Sequence, residues 1–444
     1  MGRIHVNETI DAARFGKTHW LVVALCGLLL IVDGYDVFIY GAVLPQLMDQ
    51  WDLTPPQAGS LASWALFGMM FGALFFGPLG DRIGRKKSIA LCFVIFSLAT
   101  ILNGLAETPL QFGVMRFFAG LGCGGLMPNA VALTNEYAPK RLRSTLVALM
   151  FSGYAVGGMA AAGLGIWMLP EFGWRSMFFA AAVPLATLPL LLWLLPESLG
   201  FLVRQGKQTQ ARALLARIAP DREFADGDEL IYDDTKGKKA AISALFSGHR
   251  AIGTIALWVC FFCCLLMVYA LSSWLPQLMR SAGYSLGSSL SFLLALSFGG
   301  MFGAIAGGRL ADRFGLPAVV IGYFALGAIC ISLLGFKSPM AALYVLIFIA
   351  GAGTTGTQIL LYASVAEFYA LSVRSTGLGW ASGVGRIGAI VGPLLGGVLL
   401  AAELPMTLNF MAFAVPGLIS VLAMVVFLGA RRRAVSPDIA PRVE

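Results

Sequence analysis

The sequence predicts an all-α membrane protein of twelve transmembrane helices, built as two six-helix halves related by a parallel internal repeat. Three observations carry this prediction. Hydrophobic residues fill 58% of the 444 positions, charged residues only 12%, and mean hydropathy is +0.81, which excludes an ordinary soluble domain. Apolar segments recur twelve times, near 20–44, 57–79, 88–106, 109–135, 144–168, 176–195, 251–279, 286–308, 317–335, 339–366, 375–400 and 405–428, at about the length a bilayer requires. A single offset of 231 residues relates the two halves of the chain.

Residues 1–17 are polar and precede a span too long for a signal-peptide core, with no small-residue cleavage site, so the first helix is expected to be retained. The loops that follow alternate in charge. One side carries Arg82, Arg85, Lys86, Lys87, Lys140, Arg141, Arg143, most of the charge of 204–250, Arg309, Arg313, Arg374 and Arg431 to Arg433; the other has little beyond Arg175, Arg280 and Lys337. By the positive-inside rule the basic side, with both termini, is cytoplasmic. The net charge of +8 therefore reflects this asymmetry and a lipid bilayer as partner, not nucleic acid.

The offset recurs without a gap. Leu44-Pro45-Gln46-Leu47-Met48 returns as Leu275-Pro276-Gln277-Leu278-Met279, and Gly77-x-x-x-Asp81-Arg82-x-Gly84 as Gly308-x-x-x-Asp312-Arg313-x-Gly315. Gly120-x-Gly122-x-x-Gly125 returns as Gly351-x-Gly353-x-x-Gly356, Glu136 as Glu367, and Arg143-Ser144-Thr145 as Arg374-Ser375-Thr376. Six spans bring the chain back to its starting side, so the repeats are parallel, as in proteins whose two halves rock. The halves are 1–195 and 251–430, joined by a cytoplasmic linker at 196–250 and followed by a tail at 431–444. Within the linker, 206–217 reads as a short amphipathic helix at the inner surface, and the tail after Arg433, with Pro437 and Pro441, is expected to be disordered.

The stretch from Leu30 to Tyr40 places Asp33 and Asp36 inside the first apolar segment. A carboxylate at the centre of a membrane helix costs roughly 2.5–3.5 kcal/mol on insertion, so such residues face a cavity and mark an ion or proton path. At i and i+3 the two acids share a helix face, where they resist joint ionisation and together form a candidate proton carrier. A capped helix break at Gly34 is the structural alternative. All seven cysteines lie in apolar segments; Cys260-x-x-Cys263 has no second Cys or His pair nearby, and no disulfide, metal or cofactor is expected.

The repeat sorts residues by role. Features in both halves should serve architecture or gating, and charged features in one half should serve substrate or protons. Asp33 and Asp36 project onto Cys264 and Met267, Arg116 onto Ile347, and Arg386 stands against Ala155, so these four ionisable groups are asymmetric.

Gly77-Pro78-Leu79-Gly80-Asp81-Arg82-Ile83-Gly84-Arg85-Lys86 resembles the loop between helices 2 and 3 of the major facilitator superfamily. Arg116-Phe117-Phe118-Ala119-Gly120-Leu121-Gly122 resembles its helix 4 motif, and Pro196-Glu197-Ser198 the motif closing helix 6. Within that superfamily, Asp33-Gly34-Tyr35-Asp36 resembles the aromatic acid:proton symporters. The run continuing to Gly41, with Ala65 to Gly72, Leu126-Met127-Pro128-Asn129 and Leu149 to Tyr154, looks most like the bacterial benzoate transporters. The resemblance implies the major facilitator fold, a bacterial inner membrane, no enzymatic activity and a benzoate or hydroxybenzoate as substrate. It also implies that Asp33 and Asp36 are required acids, that Arg116 couples protons, that Glu136 closes helix 4, and that Arg374 and Arg386 are helix 11 arginines.

A benzoate-sized anion needs a cation and an apolar, aromatic slot, and a planar guanidinium suits a carboxylate. Arg386 and Arg116 are the available cations. Tyr35, Trp64, Phe71, Tyr154, Tyr269, Tyr362 and Trp380 are candidate ring contacts, with Asn129 and Gln358 as polar tuners. Gating is expected of Gly77, Asp81, Arg82, Gly84, Arg85, Glu136, Arg143, Asp312, Glu367 and Arg374. The protein is expected to work as a monomer by alternating access, importing substrate with protons. A proton-coupled exporter of amphipathic compounds on the same fold is the first alternative, and a membrane sensor of aromatic acids the second.

Overall fold

In a bilayer every backbone N–H and C=O must be paired within its own segment, so long apolar runs fold as helices. The computed structural model describes residues 3–220, 222, 224, 228–232, 242–247, 250–369 and 371–435. Among them, twelve helices are long and apolar enough to cross a membrane: Lys17–Trp51, Pro55–Ile83, Arg85–Asn103, Pro109–Tyr137, Thr145–Phe172, Trp174–Leu194, Ala251–Ser281, Leu286–Phe314, Leu316–Leu333, Met340–Phe368, Thr376–Ala401 and Met406–Ala430, spans 1 to 12 in order. Span 1 outruns the expected 20–44: the helix continues through Pro45 into Gln46 to Gln50, where polar residues suit the water-facing end. Span 6 is interrupted at Ala180 and Ala181 between Trp174–Phe179 and Ala182–Leu194.

The repeat is visible in contacts as well as in sequence. A methyl group on Gly157 would collide with the Ile31 carbonyl oxygen, and one on Gly388 with that of Phe262; all four residues obey the 231-residue offset. Spans 1 and 5, and their twins 7 and 11, thus touch backbone to backbone, as small residues permit in membranes. Gly84 (φ 99°) and Gly315 (φ 83°) are also twins, each turning the chain into the next helix in a conformation that favours glycine. Arg143 Nη2 donates to the Ala138 carbonyl and Arg374 Nε to the Tyr369 carbonyl, both at 3.4 Å, again one offset apart. One twin diverges. Span 10 contains a π-helical turn at Ala352–Gly356, while the matching glycines of span 4 stay α-helical.

The chain divides into two compact units that cut across the repeat halves. The first comprises Met1–Val37, Trp64–Ala161 and Met168–Thr235; the second Phe38–Ser63, Ala162–Trp167 and Lys236–Glu444. In the second unit, Gly41 of span 1 approaches the Ser272 backbone and Ser63 Oγ of span 2 donates to the Ile390 carbonyl at 2.7 Å, which explains why 38–63 groups with the later spans.

One small feature lies outside the all-helical expectation, and a short helix adjoins it. In the first unit Arg3–His5 pairs in parallel with Glu229–Ile231, and Val6–Ala12 is a short helix. The expected amphipathic helix is present at Gln208–Ile218, its Ala211, Leu215 and Ile218 buried against protein near Val6–Ala12 and Leu199–Arg204. The twelfth helix runs to Val435; residues 436–444, where the disordered tail was expected, lie outside the described residues, as do 233–241 of the linker.

Candidate functional site

Span 1 presents Asp33 and Asp36 to span 4, which runs antiparallel to it and carries Cys123 and Arg116 seven residues apart, hence on one face. Arg116 Nη1 donates to Asp36 Oδ1 at 2.8 Å, both side chains only 2% exposed. Its Nη2 donates to the Asp36 main-chain carbonyl at 3.2 Å, so the guanidinium grips one residue twice. Thr100 Oγ1 of span 3 donates to the same Asp36 Oδ1 at 3.3 Å. Asp33 is fully buried, with the Cys123 thiol beside its carboxyl group. Breaking a pair so deeply desolvated by removing one partner costs about 3–5 kcal/mol, whereas a proton on Asp36 discharges it in place.

The repeat mates of this group, in the second unit, carry no charge. Cys264, the mate of Asp33, donates through Sγ to the Thr354 carbonyl at 3.5 Å, and Thr354 is itself the mate of Cys123. Thr354 belongs to the π turn, a distortion that recurs at functional sites. Nearby in sequence, Gln358 is half-buried, Tyr362 packs its ring 5.1 Å from Phe261 and meets Ser382 Oγ at 3.3 Å, and Trp380 stacks 5.8 Å from Trp258. Arg386 is half-buried on span 11, beside Gly385, which faces Phe261 and Leu265. In the first unit the Tyr35 hydroxyl donates to the Met177 carbonyl at 2.7 Å, so its polar end is committed to span 6. Tyr154 is buried with its backbone against Gly34, and Trp64 is exposed.

A second polar group forms where span 2 turns into span 3. Arg85 bonds Asp81, lies 3.5 Å from Glu136 Oε1 through Nε, and donates from Nη1 to Asn129 Oδ1 at 3.1 Å. Asn129 Nδ2 in turn donates to the carbonyls of Gly125 (2.8 Å) and Phe76 (3.0 Å) and to Ser88 Oγ (3.2 Å). Asn129, expected as a polar tuner of the substrate slot, is thus bonded into this turn, among residues expected to gate. Glu197 closes the group: its carboxylate accepts from the Lys86 N–H at 3.1 Å, capping span 3, and would meet any side chain at Gly84. Gly77 and Arg82 flank this turn, with Gly77 offering its carbonyl to Arg85 at 3.5 Å and Arg82 exposed. The twin turn lacks the central cation, because Leu316 occupies the position equivalent to Arg85; Asp312 and Glu367 are exposed.

Sequence reasoning found Asp33, Asp36 and Arg116, but not Thr100 or Cys123. Cys123 was within reach, since a residue seven after Arg116 shares its face, whereas Asn129 lies thirteen after it, about 220° around the helix. Thr100 had no signal of its own.

Comparison with known proteins agrees with this architecture. The model of the Major Facilitator Superfamily matches residues 26–339 and 296–443. The chain is 46% identical to the benzoate transport protein of Acinetobacter baylyi over 442 residues, covering 98% of this chain and 94% of that one. It is 37% identical to the gallate transporter of Pseudomonas putida (99% and 98% covered) and 36% identical to the 4-hydroxybenzoate transporter PcaK of A. baylyi (94% and 93%). Among solved structures, the xylose transporter XylE from E. coli superposes with a TM-score of 0.70 at 18% identity, covering 93% of this chain and 98% of that one, which is a likeness of fold.

Proposed function

Because the chain belongs to the major facilitator superfamily and, within it, to the aromatic acid transporters, we propose that it imports a benzoate-type carboxylate by symport with protons. The observation that carries the proposal is the buried Asp36–Arg116 pair. A proton arriving on Asp36 removes the charge that holds Arg116 and leaves the guanidinium with the Asp36 carbonyl, free to balance an incoming carboxylate. Arg386 is assigned to grip the carboxylate, with Tyr362 and Trp380 as candidate ring contacts and Gln358 as a polar tuner. Release of the anion returns Arg116 to Asp36 and expels the proton, so substrate and proton favour each other's binding, as linkage requires. Asp33, one turn away on the same face, is assigned to proton exchange with Asp36.

Asp81, Arg85, Glu136 and Asn129 are assigned to the inner gate, where their bonds bias the alternation between inward and outward access. The protein is a multi-pass membrane protein, and the charge asymmetry of its loops supports a bacterial inner membrane with both termini cytoplasmic. The pairing of Arg3–His5 with Glu229–Ile231 supports a common side for the N-terminus and the central linker. We assign it as a monomer. Uptake of labelled aromatic acids into vesicles tests the reading: accumulation should follow an inwardly directed proton gradient and collapse when it is dissipated. Uptake indifferent to the gradient would overturn symport, and extrusion of the same acids would overturn import.

A further inference from the structure

Two charged residues that the transport site does not use meet at positions the repeat makes equivalent. Asp49 at the end of span 1 and Arg280 at the end of span 7 are one 231-residue offset apart, and Arg280 Nη2 lies 2.7 Å from Asp49 Oδ2. Arg280 Nη1 also donates to the Pro45 carbonyl at 3.3 Å. About two turns back, Gly41 and Ser272 are again repeat mates. A methyl on Gly41 would collide with the Ser272 carbonyl oxygen and come within 3.3 Å of the Ser273 Cα. In a two-fold arrangement a residue touches its own mate only at the axis. The local axis relating the outer parts of spans 1 and 7 therefore runs through their crossing, inside the second unit.

Contacts off the axis fit the same geometry. Ser63 Oγ of span 2 donates to the Ile390 carbonyl of span 11, and Gly397 leaves room for the Pro55 backbone. By the offset, the symmetric counterpart of this contact falls at the end of span 5 and the start of span 8, and Ala162–Trp167 of span 5 belongs to the same unit as span 8. At an axis, identical residues would set like charge against like. Here the two copies have diverged into one acid and one base.

We propose that Asp49 and Arg280 are an antisymmetric charge lock: on the axis they hold spans 1 and 7 together when the outer face is closed, and they part each time it opens. The lock rests on the orientation proposed above, which makes these span ends periplasmic. Both side chains are partly solvated, 60% and 40% exposed, so the pair is built to bias an equilibrium by about fivefold or less and not to weld it. Such a bias also weakens as salt rises.

The test uses Ser273→Cys as a reporter, a near-isosteric change at a residue 6% exposed beneath Gly41. Its rate of modification by a membrane-impermeant maleimide is measured in intact cells and in inverted vesicles, after subtracting the chain with native Ser273. Asp49→Asn and Arg280→Gln should each label about three- to fivefold faster than the reporter alone, and the double exchange Asp49→Arg with Arg280→Asp should return the rate to that of the reporter. Single variants that label at the reporter's rate, or a double exchange as fast as the singles, would overturn the lock. Acceleration confined to inverted vesicles would uphold the lock and overturn the proposed orientation.

Discussion

Replacing Asn129 by leucine separates the inner gate from the substrate site. The side chain is fully buried and makes four bonds, one accepted from the Arg85 guanidinium and three donated to Phe76, Ser88 and Gly125. The carbonyls of Phe76 and Gly125 keep a second lone pair for other partners, so their loss is the smaller part. The bond from Arg85 is charge-assisted, worth about 1.5–3 kcal/mol, and its donor has only the 3.5 Å contact to Gly77 in reserve. If the gate forms in one of the two access states, that energy is the shift in their equilibrium, about 10- to 150-fold at 1.4 kcal/mol per decade. Exchange of labelled benzoate across proteoliposomes should therefore slow by one to two decades in Asn129→Leu, while equilibrium binding to detergent-solubilised protein changes less than about threefold. Normal exchange with a tenfold loss of affinity would return Asn129 to the substrate slot as a polar tuner and refute the assignment.

Asp36→Asn should abolish accumulation driven by a pH gradient while exchange survives, because the amide still accepts from Arg116 but carries no exchangeable proton; Asp33→Asn should impair accumulation in the same direction. Gradient-driven accumulation in both single variants and the double variant would exclude these acids as carriers. Arg386→Lys should lose affinity for benzoate relative to its neutral amide, since lysine keeps the charge without the planar fork, whereas Arg374→Lys should alter turnover more than affinity; the reverse pattern in binding assays would overturn the sorting by repeat symmetry. Gly157→Ala should lower thermal stability by about 1–3 kcal/mol through its clash with Ile31, while Gly163→Ala, which meets nothing within 4 Å, should leave the melting curve unchanged.

The spans and their repeat are legible in sequence for a physical reason: the bilayer leaves helices as the way to satisfy a backbone in long apolar runs, and twin glycines such as Gly157 and Gly388 must stay small where helices touch. Asp33, Asp36 and Arg116 stand out because charge inside a span is costly. Neighbours were harder. Helical periodicity fixes which face Asn129 occupies but not which helix lies opposite, so a polar tuner of the substrate slot is expected where its bonds in fact run to Arg85 and Ser88. The π turn at Ala352–Gly356 was hidden because the same glycine spacing folds as regular helix in span 4. Arg3–His5 is a strand only through its distant partner Glu229–Ile231, which local propensity does not encode. The Asp49–Arg280 contact was hidden in plain arithmetic, as a residue and its own repeat mate.

The central claim is that proton and anion move together through the Asp36–Arg116 pair, and proton flux set off by substrate tests it most directly. Benzoate is added to weakly buffered proteoliposomes with no imposed gradient, and external pH is followed against protein-free liposomes, which report passive entry of the neutral acid. The native protein should alkalinise the medium beyond that control, and Asp36→Asn should not, while still exchanging labelled benzoate. Equal substrate-induced proton uptake by both proteins, or none by the native one, would contradict the account.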